Sequence, residues 1–287
     1  MPEVVVNGVR FFYQQSGEGP DVVLVHAVTS NQAVWVFSGL PEAIAAEGYR
    51  VTTYDLRGHG MSERPPTGYT SAVMAEDFRA LHAELGLKPA HIVGHSFGGV
   101  IGIHTALLHP ECVASVTLSD SFFPGVRHIE PNFGRSNVWV DLRAAFLEIG
   151  ADIGETVDFT KLFQASTLLT PDQLKALDAI VGVVGRGWLR QLPKLAETTC
   201  GDEVLAEAGL TAEKIAMVAQ PVVALYDEFS PFLATCRWLE QHLPNCTAEI
   251  IPEAKHLAVV ENTAGFTAAV VRHLKRLVAP LGQPLTV

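Results

Sequence analysis

Short β-branched runs, each followed by a helical pattern, constrain this chain more than any other feature of its sequence. DVVLVHA from Asp21, YRVTTYD from Tyr49, AHIVGHS from Ala90 and VASVTLSD from Val113 are runs of the type buried on both faces. Strands of that type belong in a parallel sheet, because the helices that cross between parallel strands cover both faces. Helical patterns lie between the runs, at Leu40 to Glu47, Ala75 to Leu85 and Phe97 to Leu108. At the start, Val4 to Val6 and Arg10 to Gln14 flank Asn7-Gly8, which reads as a hairpin. The expected class is α/β, a mostly parallel sheet flanked by helices.

After Asp120 the alternation stops. From about Phe122 to Val218 there are helical segments separated by Gly and Pro but no strand run. The rhythm returns with PVVALYD from Pro221, AEIIPEA from Ala248 and a long helix from Thr263 to Val278. Residues 1–121 and 219–287 are therefore expected to form one core domain, with 122–218 inserted into it as a helical cap. Trp139, Phe146, Phe163, Leu168, Leu169 and Trp188 fall in helical stretches of that insertion and read as its own packing, with a few facing the cleft. The tail from Pro280 is expected to be loosely ordered.

Composition narrows the partners. With 287 residues, 48% of them apolar, the chain can bury a sizeable core, and a net charge of -11 offers no basic face to nucleic acid. The N-terminal residues lack a basic start and an apolar run of export-signal type, and no stretch approaches the length of a membrane span. Cys112, Cys200, Cys236 and Cys246 are far apart, with no CxxC pair for zinc or redox exchange. Reduced thiols, a cytoplasmic location, no cofactor and a small-molecule substrate are the expectations, with neither nucleic acid nor membrane as partner. A homo-oligomer stays open.

Chemistry concentrates at Gly94-His95-Ser96-Phe97-Gly98-Gly99, between a buried strand pattern and a helix pattern. A GxSxG string alone is common by chance; the strand-turn-helix setting is what a nucleophile elbow needs. There Ser96 projects from the sheet edge at a helix start, and small residues at 94 and 98 let neighbouring backbone pass. The competing reading is a structural turn serine. The elbow geometry also makes the backbone N–H of Phe97 an oxyanion donor.

Four separated motifs together resemble a capped member of the α/β-hydrolase superfamily over nearly the whole chain. They are His26-Ala27-Val28 after a strand, Asp55-Leu56-Arg57-Gly58-His59-Gly60-Met61-Ser62 after the next, the elbow itself, and Ile251-Pro252-Glu253-Ala254-Lys255-His256 after the last strand. The resemblance implies that His256 is the general base and that the Val28 N–H is the second oxyanion donor. It makes His26 and His59 structural loop residues, while His95 is expected to pack or hydrogen-bond beneath the elbow. Ala27 stands where the family usually has glycine. Lys255 replaces a small residue and reads as a solvated charge, with a contact to an acidic substrate group as the alternative.

The acid departs from the family pattern. Most relatives carry an Asp in the loop after the strand matching PVVALYD, but Ser230 occupies that place here, and a hydroxyl cannot stabilise an imidazolium as a carboxylate does. Asp120 ends the strand after the nucleophile helix, and in a parallel sheet the active loops leave from the carboxyl ends of strands. It is the preferred acid, with Asp227 and Glu228 as rivals and an acid-free site as a further alternative. Many haloalkane dehalogenases and the zearalenone-type lactonases place their acid at this earlier strand; Ser96 excludes the former, and the latter resemble the runs GPDVVLV and RVTTYD here.

The reaction this implies is hydrolysis of a carboxylic ester or lactone of a medium-sized, largely apolar substrate through a Ser-His-Asp triad and an acyl-enzyme, without metal or organic cofactor. One alternative is C–C bond hydrolysis of a dicarbonyl, for which Arg186 and Arg190 are polarising candidates against a blander role on a solvated helix face. Another is a non-hydrolytic small-molecule-binding or biosynthetic member of the fold, which Ser230 and Ala27 favour and Ser96 and His256 oppose.

Overall fold

The computed structural model describes residues 2–135, 137–173, 175, 177, 189 and 191–278. Eight strands form one sheet: β1 Glu3–Val6, β2 Val9–Ser16, β3 Asp21–Val25, β4 Arg50–Tyr54, β5 Ala90–His95, β6 Val113–Ser119, β7 Val222–Asp227 and β8 Cys246–Ile251. Their order is β1-β2-β4-β3-β5-β6-β7-β8. The pairings β1/β2 and β2/β4 are antiparallel and all others parallel. The β1/β2 turn is the Asn7-Gly8 pair, with φ of 50° and 72°, the left-handed pair that matches the twist of a hairpin.

Alternation along each central strand explains why the runs lack a polar face. Val22 and Leu24 of β3 enter one apolar cluster, with Val93, Val223 and Leu225, while Val23 and Val25 enter another, with Ile92, Val116 and Ala224. Helices α1 Ala33–Ser38 and α2 Leu40–Ala46 follow β3, α3 Ser71–Glu84 follows β4, and α4 Phe97–Leu108 follows β5. Trp35, Leu40 and Ile44 cover the first cluster; Met74, Phe78, Val100 and Ile101 cover the second. Each such side chain contributes about 1.5–3 kcal/mol on full burial. At six residues α1 is under two turns, too short for its periodicity to stand out, and it is absent from the sequence expectation. Thr70 caps α3 by accepting from the Val73 N–H.

Between β6 and β7 the described residues hold α5 Asn137–Glu148, α6 Phe159–Thr167, α7 Leu192–Leu195, α8 Cys200–Glu203 and α9 Ala212–Ile215. The one β pairing among them is an isolated bridge from Gly125 to Thr211. Trp139, Phe146 and Phe163 are buried and Leu169 packs against the core, but Leu168 is 81% exposed and takes no part in that packing. Arg186, Trp188, Arg190 and the tail from Pro280 lie outside the described residues. The segment is tied to the loop before α3 by the Glu203 carboxylate, which accepts from the N–H groups of Gly68 and Tyr69. The chain closes with α10 Leu233–His242, α11 Ala258–Glu261 and α12 Thr263–Val278. Phe266, Val270 and Leu274 of α12 join Trp35 and Leu40 on the first face, and Cys236 and Leu239 of α10 lie on the second. Among the described residues no helix is long and apolar enough to cross a membrane.

Candidate active site

β5 ends at His95, opposite Ser119 of β6, and the chain turns into α4 at Ser96. Ser96 has φ 51° and ψ -115°, a backbone conformation that side-chain-bearing residues rarely adopt. Crowding explains the flanking glycines. A Cβ on Gly94 would lie 2.4 Å from the backbone of Gly98 and Gly99, and one on Gly98 would lie 2.2 Å from the Val25 carbonyl oxygen. The Ser96 N–H donates to the Ser119 carbonyl at 2.8 Å, while its half-buried hydroxyl has no hydrogen-bond partner among the described residues. The Phe97 N–H opens α4, so it has no acceptor within the helix.

The loop after β8 carries His256 to the end of β6. His256 Nδ1 donates to Asp120 Oδ2 at 2.6 Å. Asp120 is fully buried, sits at φ 48° immediately after β6, and accepts at Oδ1 from the Asp227 N–H at 3.3 Å. The rival carboxylates engage backbone instead: Asp227 Oδ2 accepts from Ala258 N–H at 3.0 Å and Glu228 from Glu253 N–H at 3.0 Å. Ser230 accepts from the Phe232 N–H at 2.9 Å, a local turn bond. Two further contacts fix the His256 loop. One oxygen of Glu261 accepts from the N–H groups of Lys255, His256 and Leu257 at 2.8, 3.3 and 3.1 Å, and His95 Nε2 donates to the His256 carbonyl at 2.8 Å. Lys255 is exposed, as a solvated charge should be.

The loop after β3 is pinned by histidines from both sides. His26 Nδ1 donates to the Ala27 carbonyl at 2.8 Å while its Nε2 accepts from Leu56 N–H at 3.0 Å. His59 Nε2 accepts from Thr29 N–H at 3.1 Å and its Nδ1 donates to the Arg57 carbonyl at 2.8 Å. Between these anchored residues the Val28 N–H has no acceptor among the described residues. The second motif braces this arrangement. Asp55 accepts from the N–H groups of Gln32 and Met61, both at 2.8 Å, and Arg57 forms a buried two-pronged pair with Asp77 at 2.6 and 2.7 Å.

The family described as alpha/beta hydrolase fold matches residues 20–263, most of the chain. The chain belongs to that family. A relative 29% identical over 276 residues, spanning 93% of this chain and 99% of its own length, is the pimeloyl-(acyl-carrier protein) methyl ester esterase of Chromobacterium violaceum. Another, 32% identical over 188 residues, is the bifunctional epoxide hydrolase 2 of Sus scrofa; the match spans 62% of this chain but only 34% of that protein. Among solved structures, the enol-lactonase from Burkholderia xenovorans superposes with a TM-score of 0.63 at 23% identity, over 96% of this chain and all of that one. The shared fold is what that likeness carries.

Within this alpha/beta hydrolase the site is electrostatically divided. Burial lowers the imidazoles of His26 to about 4, and of His95 and His59 to about 3, so all three are neutral at pH 7. Burial also acts to lower His256, but the Asp120 hydrogen bond and charge, helped by Asp227 and Glu261, outweigh it and raise this imidazole above its ordinary value. The Phe232 and His256 rings meet nearly perpendicular with centroids 5.5 Å apart, and Phe232 is backed by Phe122 and Phe133, which stack at 3.9 Å. Sequence reasoning brought Ser96, His256 and Asp120 to one sheet edge. It missed the grip of Glu261 on the His256 loop, signalled only by a carboxylate five residues after the histidine. It also missed that Asp227 touches both loops, which no local pattern signals.

Proposed function

We propose that the chain is a serine hydrolase acting on a carboxylic ester or lactone of a medium-sized, largely apolar substrate. The observation that carries this reading is the 2.6 Å bond from His256 Nδ1 to a fully buried Asp120, at the sheet edge where Ser96 occupies a strained elbow. Ser96 Oγ attacks the carbonyl carbon as its proton passes to His256 Nε2, and Asp120 holds the imidazolium that forms. The unpaired N–H groups of Val28 and Phe97 receive the developing oxyanion. His256 then returns the proton to the departing alkoxide, leaving an acyl-enzyme. In the second half, water attacks that ester while His256 takes its proton, releasing acid and free Ser96. The free Ser96 hydroxyl is compatible with this chemistry, since such bonds tighten in the substrate complex.

Residues 122–218 act as a cap in this reading, and the Phe232 ring against His256, with Phe122 and Phe133 packed behind it, favours an apolar leaving group. The Chromobacterium esterase and the Burkholderia lactonase direct the assay panel to methyl esters and lactones. Treatment with a fluorophosphonate probe should label Ser96 in the wild type and not in Ser96→Ala, with hydrolysis of at least one ester or lactone lost in parallel. An unlabelled wild type that returns every ester and lactone intact would sink the reading in favour of a non-hydrolytic ligand-binding protein.

A further inference from the structure

Asp227 is a second buried carboxyl beside the Asp120–His256 pair, and neither oxyanion nor proton transfer uses it. Only 1% of its surface is exposed. Its backbone N–H donates to Asp120 Oδ1, and its own Oδ2 accepts from Ala258 N–H, two residues past His256. The other oxygen, Oδ1, is buried and has no hydrogen-bond partner among the described residues. An ionised carboxylate with one oxygen accepting nothing, next to a second carboxylate, is the costly state of this group.

We propose that Asp227 is a positioning residue of the triad, coupled to His256 from two sides: its carboxylate holds the His256 loop through Ala258, and its backbone N–H holds Asp120. The kinetic part of this inference rests on the serine-hydrolase reading; the coupling to His256 does not. Burial first, then the Asp120 charge, pushes the Asp227 carboxyl up to about 7, with the His256 imidazolium and the Ala258 N–H pulling it back. The groups that face it are Asp120 at the end of β6, His256 in its loop and Glu261 of α11; His95 at the end of β5 is neutral, and Glu228 beside it is engaged with Glu253. Asp227 and His256 therefore titrate as a pair, each proton weakening or strengthening the hold on the other.

The test follows the ring Cε1 proton of His256 by NMR across pH in histidine-labelled wild type, Asp227→Asn and Asp227→Ala, alongside kcat and KM for a responsive ester. Asparagine keeps an acceptor for Ala258 but cannot ionise, so the His256 midpoint should fall by about half a unit or more. The acid limb of kcat/KM should move to lower pH with it, while KM stays near wild type. Alanine removes the loop contact as well and should lower kcat about tenfold or more with little change in KM. An Asp227→Asn protein that is folded and titrates His256 at the wild-type midpoint overturns the inference. A wild type that hydrolyses nothing overturns the hydrolase reading instead, and the NMR midpoints still decide the role of Asp227.

Discussion

Replacing Asp227 with Asn should change how stability depends on pH, and the structure sets the sign and the ceiling. The folded carboxyl is pushed from an ordinary 3.8 to about 7 by burial and by Asp120. Between those values the unfolded chain has lost this proton while the folded chain keeps it, so folding binds a proton and stability falls as pH rises through the window. Above about 7 both states are ionised and the loss is complete. At about 1.4 kcal/mol per pK unit the whole window is worth about 4 kcal/mol, and the part between pH 5 and pH 8 about 3 kcal/mol. The Asn variant retains the Ala258 acceptor and cannot ionise, so this slope vanishes from it. Urea unfolding of both proteins at pH 5 and pH 8, followed by tryptophan fluorescence, reads the difference directly. The variant should gain on wild type by about 2–3 kcal/mol over that interval, the lower figure allowing for attraction to a protonated His256. A gap that stays constant, or shrinks, refutes the argument that a buried second carboxyl titrates near neutrality here.

Further variants test other parts of the site and its surroundings. Gly98→Ala places a Cβ 2.2 Å from the Val25 carbonyl oxygen; because the obstacle is backbone, chemical denaturation should show a loss of about 3 kcal/mol or more, and probe labelling of Ser96 should collapse. In Gly134→Ala the nearest atom is a Thr156 side-chain carbon at 3.3 Å, and that variant should label normally. Glu261→Ala frees three consecutive N–H groups of the His256 loop, and steady-state kinetics should show kcat down about tenfold with KM within about twofold. Arg57→Met leaves the Asp77 carboxylate with Asn7 as its side-chain hydrogen-bond partner among the described residues; its cost should be about 3–5 kcal/mol, and adding Asp77→Leu should recover most of it.

Features with a local cause were legible in the sequence. The parallel sheet could be read because each central strand sends alternate residues into two apolar clusters, leaving a run with no polar face, as at Val22 to Val25. The elbow could be read because Gly94 and Gly98 are demanded by contacts within a few residues and with one neighbouring strand. Two short elements behave differently. α1 spans too few residues to show a period, and Leu168 looks like its buried neighbours in pattern while standing in solvent. Burial of one residue in a helix end depends on what lies opposite, and the local sequence does not encode that.

The carboxylate that pairs with His256 shows where a local motif and the sheet topology point to different positions. A loop motif points to position 230, three residues beyond β7, where Ser230 merely closes its own turn. The register of the sheet points elsewhere. Ser119 lies opposite both His95 and Leu225, so Ser96 and Asp120 are each the first residue past aligned strand ends. Asp227 stands one residue beyond Asp120's level, close enough for its N–H to reach that carboxylate. From there a loop returning from β8 needs only to drop His256 onto β6, and Glu261 and His95 hold it in place. The position of a carboxylate in the sequence is therefore a weaker guide than the strand end it occupies. The same register that delivers Asp120 to His256 forces Asp227 into the buried space behind them, which is why a residue that looks like a rival acid in the sequence is better understood as the neighbour that tunes the pair.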